Sequence, residues 1–108
     1  MIVADDGSGP ETSAVMDAAR AQGQENVRHV WHEDRGFQKC QILNRAIVAA
    51  TGDYLILTDG DCVPRKDFVS QHRANARPGF FLSGGYFKLA LPVSQAITHE
   101  DVIAQRCF

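Results

Sequence analysis

The sequence predicts an α/β fold with a mostly parallel sheet flanked by helices, and three observations predict it. Short apolar runs alternate with amphipathic stretches in the order strand, helix, strand, helix, strand. The third run, Tyr54-Leu55-Ile56-Leu57-Thr58, is almost continuously apolar, as a strand buried on both faces of a parallel sheet would be. The first and third runs stop in acidic, Gly-containing turns, Asp5-Asp6-Gly7-Ser8 and Asp59-Gly60-Asp61.

Each element follows from local chemistry. Met1–Ala4 reads as a buried strand cut off by Asp5-Asp6-Gly7-Ser8-Gly9-Pro10. Pro10 suits a first helical turn, with Ser8 or Gly9 as cap and Glu11 near the positive end. That helix is expected to reach about Ala21, to bury Val15, Ala18 and Ala19, and to end at Gly23. Val27–His32 reads as the second strand, followed by the polar turn Glu33-Asp34-Arg35-Gly36. From Phe37 onward Leu43, Ala46, Ile47 and Ala50 recur at i, i+3, i+4 and i+7, the stripe of an amphipathic helix closed by Thr51-Gly52. After the third strand, a helix is expected over Lys66–Ala74 and a strand, interrupted at Gly84-Gly85, over Phe80–Leu91. Thr98-His99-Glu100-Asp101 resembles a capping box opening a short C-terminal helix.

Composition narrows the functional classes. The 108 residues carry 11 Lys and Arg against 13 Asp and Glu, a net charge of −2, and lack the basic excess expected of a nucleic-acid binder. A 44% hydrophobic and 22% charged chain argues against disorder. No apolar run approaches the roughly 20 residues of a transmembrane span. Asp5 and Asp6 interrupt the place where a signal peptide's apolar stretch would lie. Cys40, Cys62 and Cys107 share no short metal-type spacing and read as reduced thiols. The expected compartment is the cytoplasm, or the inner face of its membrane as a peripheral protein.

Ligands of open α/β sheets bind beyond the carboxyl ends of the strands. With parallel strands, Asp5, Asp6, Asp59 and Asp61 are expected on one rim, where repulsion calls for a cation. Hard oxygen ligands select Mg²⁺ or Mn²⁺, and such an ion can bridge a diphosphate and help it leave. Taken singly, each acidic turn is equally well a plain strand-to-helix connection. The two together, each directly after an apolar strand, are more specific.

Asp5-Asp6-Gly7-Ser8, Glu33-Asp34-Arg35-Gly36-Phe37, Ile42-Leu43-Asn44, Gly52-Asp53-Tyr54 and Asp59-Gly60-Asp61 occur in the order seen in family 2 glycosyltransferases. The chain resembles the bacterial branch of that family from Ile2 to about residues 97–101. The resemblance implies a GT-A, Rossmann-like fold and transfer of a sugar from a nucleotide-diphosphate donor to an acceptor hydroxyl, with inversion. It implies Asp5 or Asp6 on the base or ribose, Asp59 near the ribose or metal, and Asp61 as the metal ligand proper. Many relatives place Arg before the Asn of the central helix, where this chain has Leu43, so Arg35 and Lys39 are the basic candidates for the diphosphate.

The resemblance also implies absences. The family's first strand has no counterpart after Met1, and its acceptor half, with the general base, is expected beyond Phe108. Glu100-Asp101 follows Asp61 too soon for that base and reads as a helix cap. The expectation is one partial nucleotide-sugar-binding domain over 1–108, with a saccharide or lipid-linked acceptor and self-association through unpaired sheet edges. Two alternatives stand beside it. Asp59 and Asp61 also fit the nucleophile loop of haloacid-dehalogenase-type phosphoryl transfer, and the chain could be a non-catalytic binding fragment.

Overall fold

The computed structural model describes residues 1–107, and the chain divides into two compact units, Met1–Leu55 and Ile56–Phe108. The first unit is a βαβ crossover with a second helix: β1 (Ile2–Asp5), α1 (Pro10–Ala21), β2 (Arg28–Trp31) and α2 (Lys39–Ala49). Strands β1 and β2 pair in parallel, with Ile2 opposite Arg28 and Asp5 opposite Trp31. The α/β class with a parallel sheet is as predicted.

Helix α1 starts with Gly9 as its cap residue and Pro10 in the first turn. Its end is a Schellman turn: Gln24 N–H donates to the Ala19 carbonyl and Gly23 N–H to that of Arg20. Gly23 takes the left-handed conformation this turn needs, at φ +90°. The expected buried face is corrected, because α1 buries no residue and Val15 and Ala18 are exposed. Thr12, Met16, Ala19 and Arg20 are half-buried instead, and Arg20 Nε–H donates to the Val27 carbonyl at 2.9 Å.

Helix α2 packs against both strands. It begins at Lys39 rather than at Phe37, which is exposed. Its buried seam is Ile42 and Ala46, which with Val27 form the apolar core; Ile42 is only 1% exposed. The expected stripe is therefore shifted: Leu43 and Ala50 are half-buried and Ile47 is exposed. A two-stranded sheet, with strands about 4.8 Å apart, is too narrow a floor to cover the whole apolar stripe. The far end of α2 is fastened by Arg28, whose Nη1–H donates to the Ala49 carbonyl at 2.6 Å.

The second unit holds α3 (Phe68–Asn75), α4 (Leu91–Ala96) and α5 (His99–Ile103). Two predicted strands are corrected: residues 54–58 and 80–90 are irregular, and Leu91 opens α4, which the sequence reading did not foresee. A strand exists only through ladder bonds to a neighbour, and among the described residues the only ladder joins β1 to β2. The helix expected over Lys66–Ala74 is found two residues later at its start, as α3. The capping box is present: Asp101 N–H donates to Thr98 Oγ1 and Thr98 N–H donates to Asp101 Oδ2. Among the described residues no helix is long and apolar enough to cross a membrane.

Candidate functional site

The turn after β1 is held by two histidine–carboxylate pairs. In the parallel register His29 lies opposite Val3, so its side chain shares a face with Asp5 two residues on. His29 Nε2 lies 2.7 Å from Asp5 Oδ2, and Ser8 N–H donates to Asp5 Oδ1 at 2.8 Å. Burial alone would raise the Asp5 carboxyl. Hydrogen bonds from the Ser8 side chain and backbone, together with His29, outweigh it and hold the carboxyl below 3.8.

Asp6 makes the second pair. Its Oδ1 lies 2.6 Å from His32 Nε2, and its Oδ2 accepts Gln38 N–H at 2.8 Å. The two aspartates differ in access: the Asp5 side chain is 3% exposed and that of Asp6 24%. Four lone-pair directions on an ionised carboxylate leave Asp6 acceptor capacity for a further partner, whereas Asp5 is enclosed. Trp31 closes the turn from the side, donating Nε1–H to the Ser8 carbonyl at 3.0 Å.

Gly7 is required where it stands. Its φ is +89°, and a Cβ there would fall 2.5 Å from the Asp34 Cα, a backbone atom that cannot swing aside. This close approach presses the Asp5–Ser8 turn against the Glu33–Gly36 loop. Asp34 in turn accepts Gly36 N–H at 2.9 Å, turning the chain toward α2.

Beside these pairs an open cleft of about 490 Å³ is lined by Trp31, His32, Glu33, Arg35, Gln38, Gln41 and Arg45. Arg35 reaches this cleft, and its Nε–H and Nη2–H both donate to Glu33 Oε2 at 3.2 and 3.0 Å. The pair is exposed and weakly held, so an anionic ligand can compete for the guanidinium. Lys39, the other basic candidate, is an exposed first residue of α2 outside the cleft lining. Sequence reasoning missed Arg45 and Gln41. The signal was available: Gln38, Gln41 and Arg45 recur at three and four residues, beside the buried Ile42 and Ala46. It also left His29 and His32 without their carboxylate partners, because the register that sets His29 diagonally across from Asp5, and brings His32 just past β2 level with Asp6 just past β1, is known only once the strands are paired.

Asp59 and Asp61 lie in the second unit, on an exposed turn closed by Cys62 N–H donating to the Asp59 carbonyl at 3.3 Å. Cys62 Sγ–H approaches Asp61 Oδ1 at 3.9 Å, too weakly to commit that carboxylate. Further along, Lys66 N–H donates to Gln105 Oε1 at 2.7 Å, while Gln105 Nε2–H donates to the Pro64 carbonyl at 3.3 Å. Among the described residues no three His, Cys, Asp or Glu side chains gather as a metal-binding group. Asp101 is committed elsewhere: Thr98 hydrogen bonds and Arg106 pull its carboxyl down to about 2, a helix cap and not a base poised near neutrality.

The sequence profile described as "Glycosyl transferase family 2" matches residues 1–78, the span from β1 through α3. No curated protein and no solved structure matches the chain significantly.

Proposed function

We propose, from the premise that the chain belongs to glycosyl transferase family 2, that it contributes donor-binding residues to a metal-assisted sugar transfer. The observation that carries this reading is Asp6, a partly open carboxylate fixed at the carboxyl end of β1 beside a cleft with two guanidinium groups. Such a lip suits a nucleotide: a carboxylate accepts from a base N–H or ribose hydroxyl, and guanidinium groups pair with phosphate. Asp6 then contacts base or ribose, and enclosed Asp5 supports the turn. Arg35 serves the diphosphate, with Arg45 added by its place in the cleft; Lys39 remains a candidate from the resemblance alone.

In the second unit, Asp59 and Asp61 are the residues that would hold Mg²⁺ or Mn²⁺. Their donors are hard carboxylate oxygens on an exposed turn, which fits either ion in kind, and phosphate oxygens would complete the ligand set. A bound ion would supply Lewis-acid stabilisation to the departing diphosphate. The reaction is direct displacement at the anomeric carbon by an acceptor hydroxyl, with inversion.

Calorimetry of UDP and GDP binding, with and without Mn²⁺, tests the reading. Mn²⁺ is expected to strengthen binding to the wild type, Asp61→Ala to abolish that gain, and Asp6→Ala and Arg35→Ala to weaken binding in either condition. Equal, metal-independent binding by wild type and Asp61→Ala would refute the metal assignment. Unchanged binding by Asp6→Ala would refute the assignment of the lip.

A further inference from the structure

We propose that His32 is the positioning residue of the cleft: acting through Asp6, it sets where α2 begins and how Gln38, Gln41 and Arg45 are presented. Helix α2 starts without help of its own. Its cap residue Gln38 makes no side-chain capping bond, and its first turn holds no acidic residue. The acceptor for Gln38 N–H comes instead from Asp6 Oδ2, across a sequence separation of 32 residues. The other oxygen of that carboxylate sits 2.6 Å from His32 Nε2. A carboxylate can only accept here, so Nε2 carries the hydrogen and the imidazole is the donor.

One planar group thus joins three segments: the turn after β1, the residue that follows β2, and the start of α2. His32 is buried, so water does not readily replace it as the donor to Oδ1. Without that bond the carboxylate is free to rotate about its Cβ–Cγ axis and the Gln38 N–H loses a fixed acceptor. The consequence runs along the helix, because Gln41 and Arg45 follow Gln38 on the cleft side of α2. The other charged groups lining the cleft are Glu33 and Arg35, which pair with each other. The neighbouring His29–Asp5 pair closes on Ser8, so it does not substitute for this bridge.

The test compares His32→Phe, which keeps a ring and removes the donor, with His32→Gln, whose amide N–H reaches toward the same point. Native-state hydrogen exchange at the Gln38 amide is expected to speed up at least about tenfold in His32→Phe. His32→Gln is expected to restore most of the protection, a rescue that a mere loss of ring packing would not show. Equal exchange in the two variants would overturn the proposal. Should His32→Phe fail to fold, ¹⁵N spectra of the wild type decide: the hydrogen is expected on Nε2, and a neutral ring protonated at Nδ1 alone overturns it. A binding arm, using UDP and GDP with Mn²⁺, rests on the donor reading above. There His32→Phe is expected to weaken binding at least about fivefold relative to His32→Gln. If the wild type binds neither nucleotide, the donor reading fails while exchange and ¹⁵N spectra still judge the role of His32.

Discussion

Met1–Leu55 holds every buried side chain among the described residues, whereas the described residues from Ile56 onward hold none. The contrast does not come from a shortage of apolar sequence, since the second unit carries Leu57, Phe80, Phe81, Tyr86, Phe87 and Leu91, all exposed. The first unit has one parallel ladder, and that ladder gives α2 a floor on which Ile42 and Ala46 can be buried. The second unit is joined largely by short-range bonds: Asp67 with Arg65 and Ser70, Thr98 with Asp101, Arg106 with Asp101. In this chain the apolar side chains that form a core are those that α2 and the paired strands bring together. The two acidic turns inherit this difference. Asp5 and Asp6 are locked by histidines from β2 and the loop after it, while Asp59-Gly60-Asp61 is an exposed turn closed by its own backbone.

The largest expected effect sharpens this contrast. Ile42→Ala should cost about 2–5 kcal/mol in urea unfolding followed by the fluorescence of Trp31, the lone tryptophan, which lies in the first unit. Leu57→Ala, 59% exposed in the wild type, should change stability by no more than about 0.5 kcal/mol. Similar losses in both would break the comparison. Next come the glycines. Gly7→Ala should cost about 1–3 kcal/mol for its left-handed backbone, and more if the Asp34 contact does not relax. Gly84→Ala meets nothing within 4 Å and should be neutral or stabilising by up to about 1 kcal/mol.

Acid titration separates the units in a third way. The folded Asp5 carboxyl sits below 3.8, so its stabilising effect is fully present above that value and is lost as pH falls through the lower folded one. Asp5→Asn is expected to flatten this part of the acid unfolding curve read by Trp31. The smallest effect belongs to α5, where Asp101 titrates at about 2. The cap is complete above pH 3.8 and is lost toward pH 2. Thr98→Ala should move the Asp101 carboxyl titration, followed by NMR, upward toward 3.8, with the Trp31 signal unchanged.

Much of the first unit was legible in the sequence because its signals are local. Pro10 and Gly23 bracket α1 at the expected places, and the apolar run before Asp5 marks β1. Thr98 and Asp101 announced the cap of α5 for the same reason. Tyr54–Thr58 misled because an apolar run records the capacity to pair, and pairing depends on a neighbour that no local signal supplies. Leu91–Ala96 was hidden because six residues are too few to show a helical period and Pro92 suits a loop as well as a first helical turn. Arg35 was legible as a candidate from its place in the Glu33–Phe37 loop. For Arg45 the spacing gave only a helix side shared with Gln38 and Gln41; that this side lines the cleft followed from the orientation of α2.

Residue type and order by themselves determined the α/β class, the βαβ start, the acidic turns and the family to which they belong. Those are properties of spacing and of side-chain chemistry, and they survive without knowledge of any contact. The tertiary structure alone decided that Asp5 is sealed and Asp6 open, that two histidines hold them, and that the Asp6 carboxylate supplies the start of α2. Each of those facts joins residues 24 to 32 positions apart, through a strand register and a helix orientation that only the folded backbone specifies.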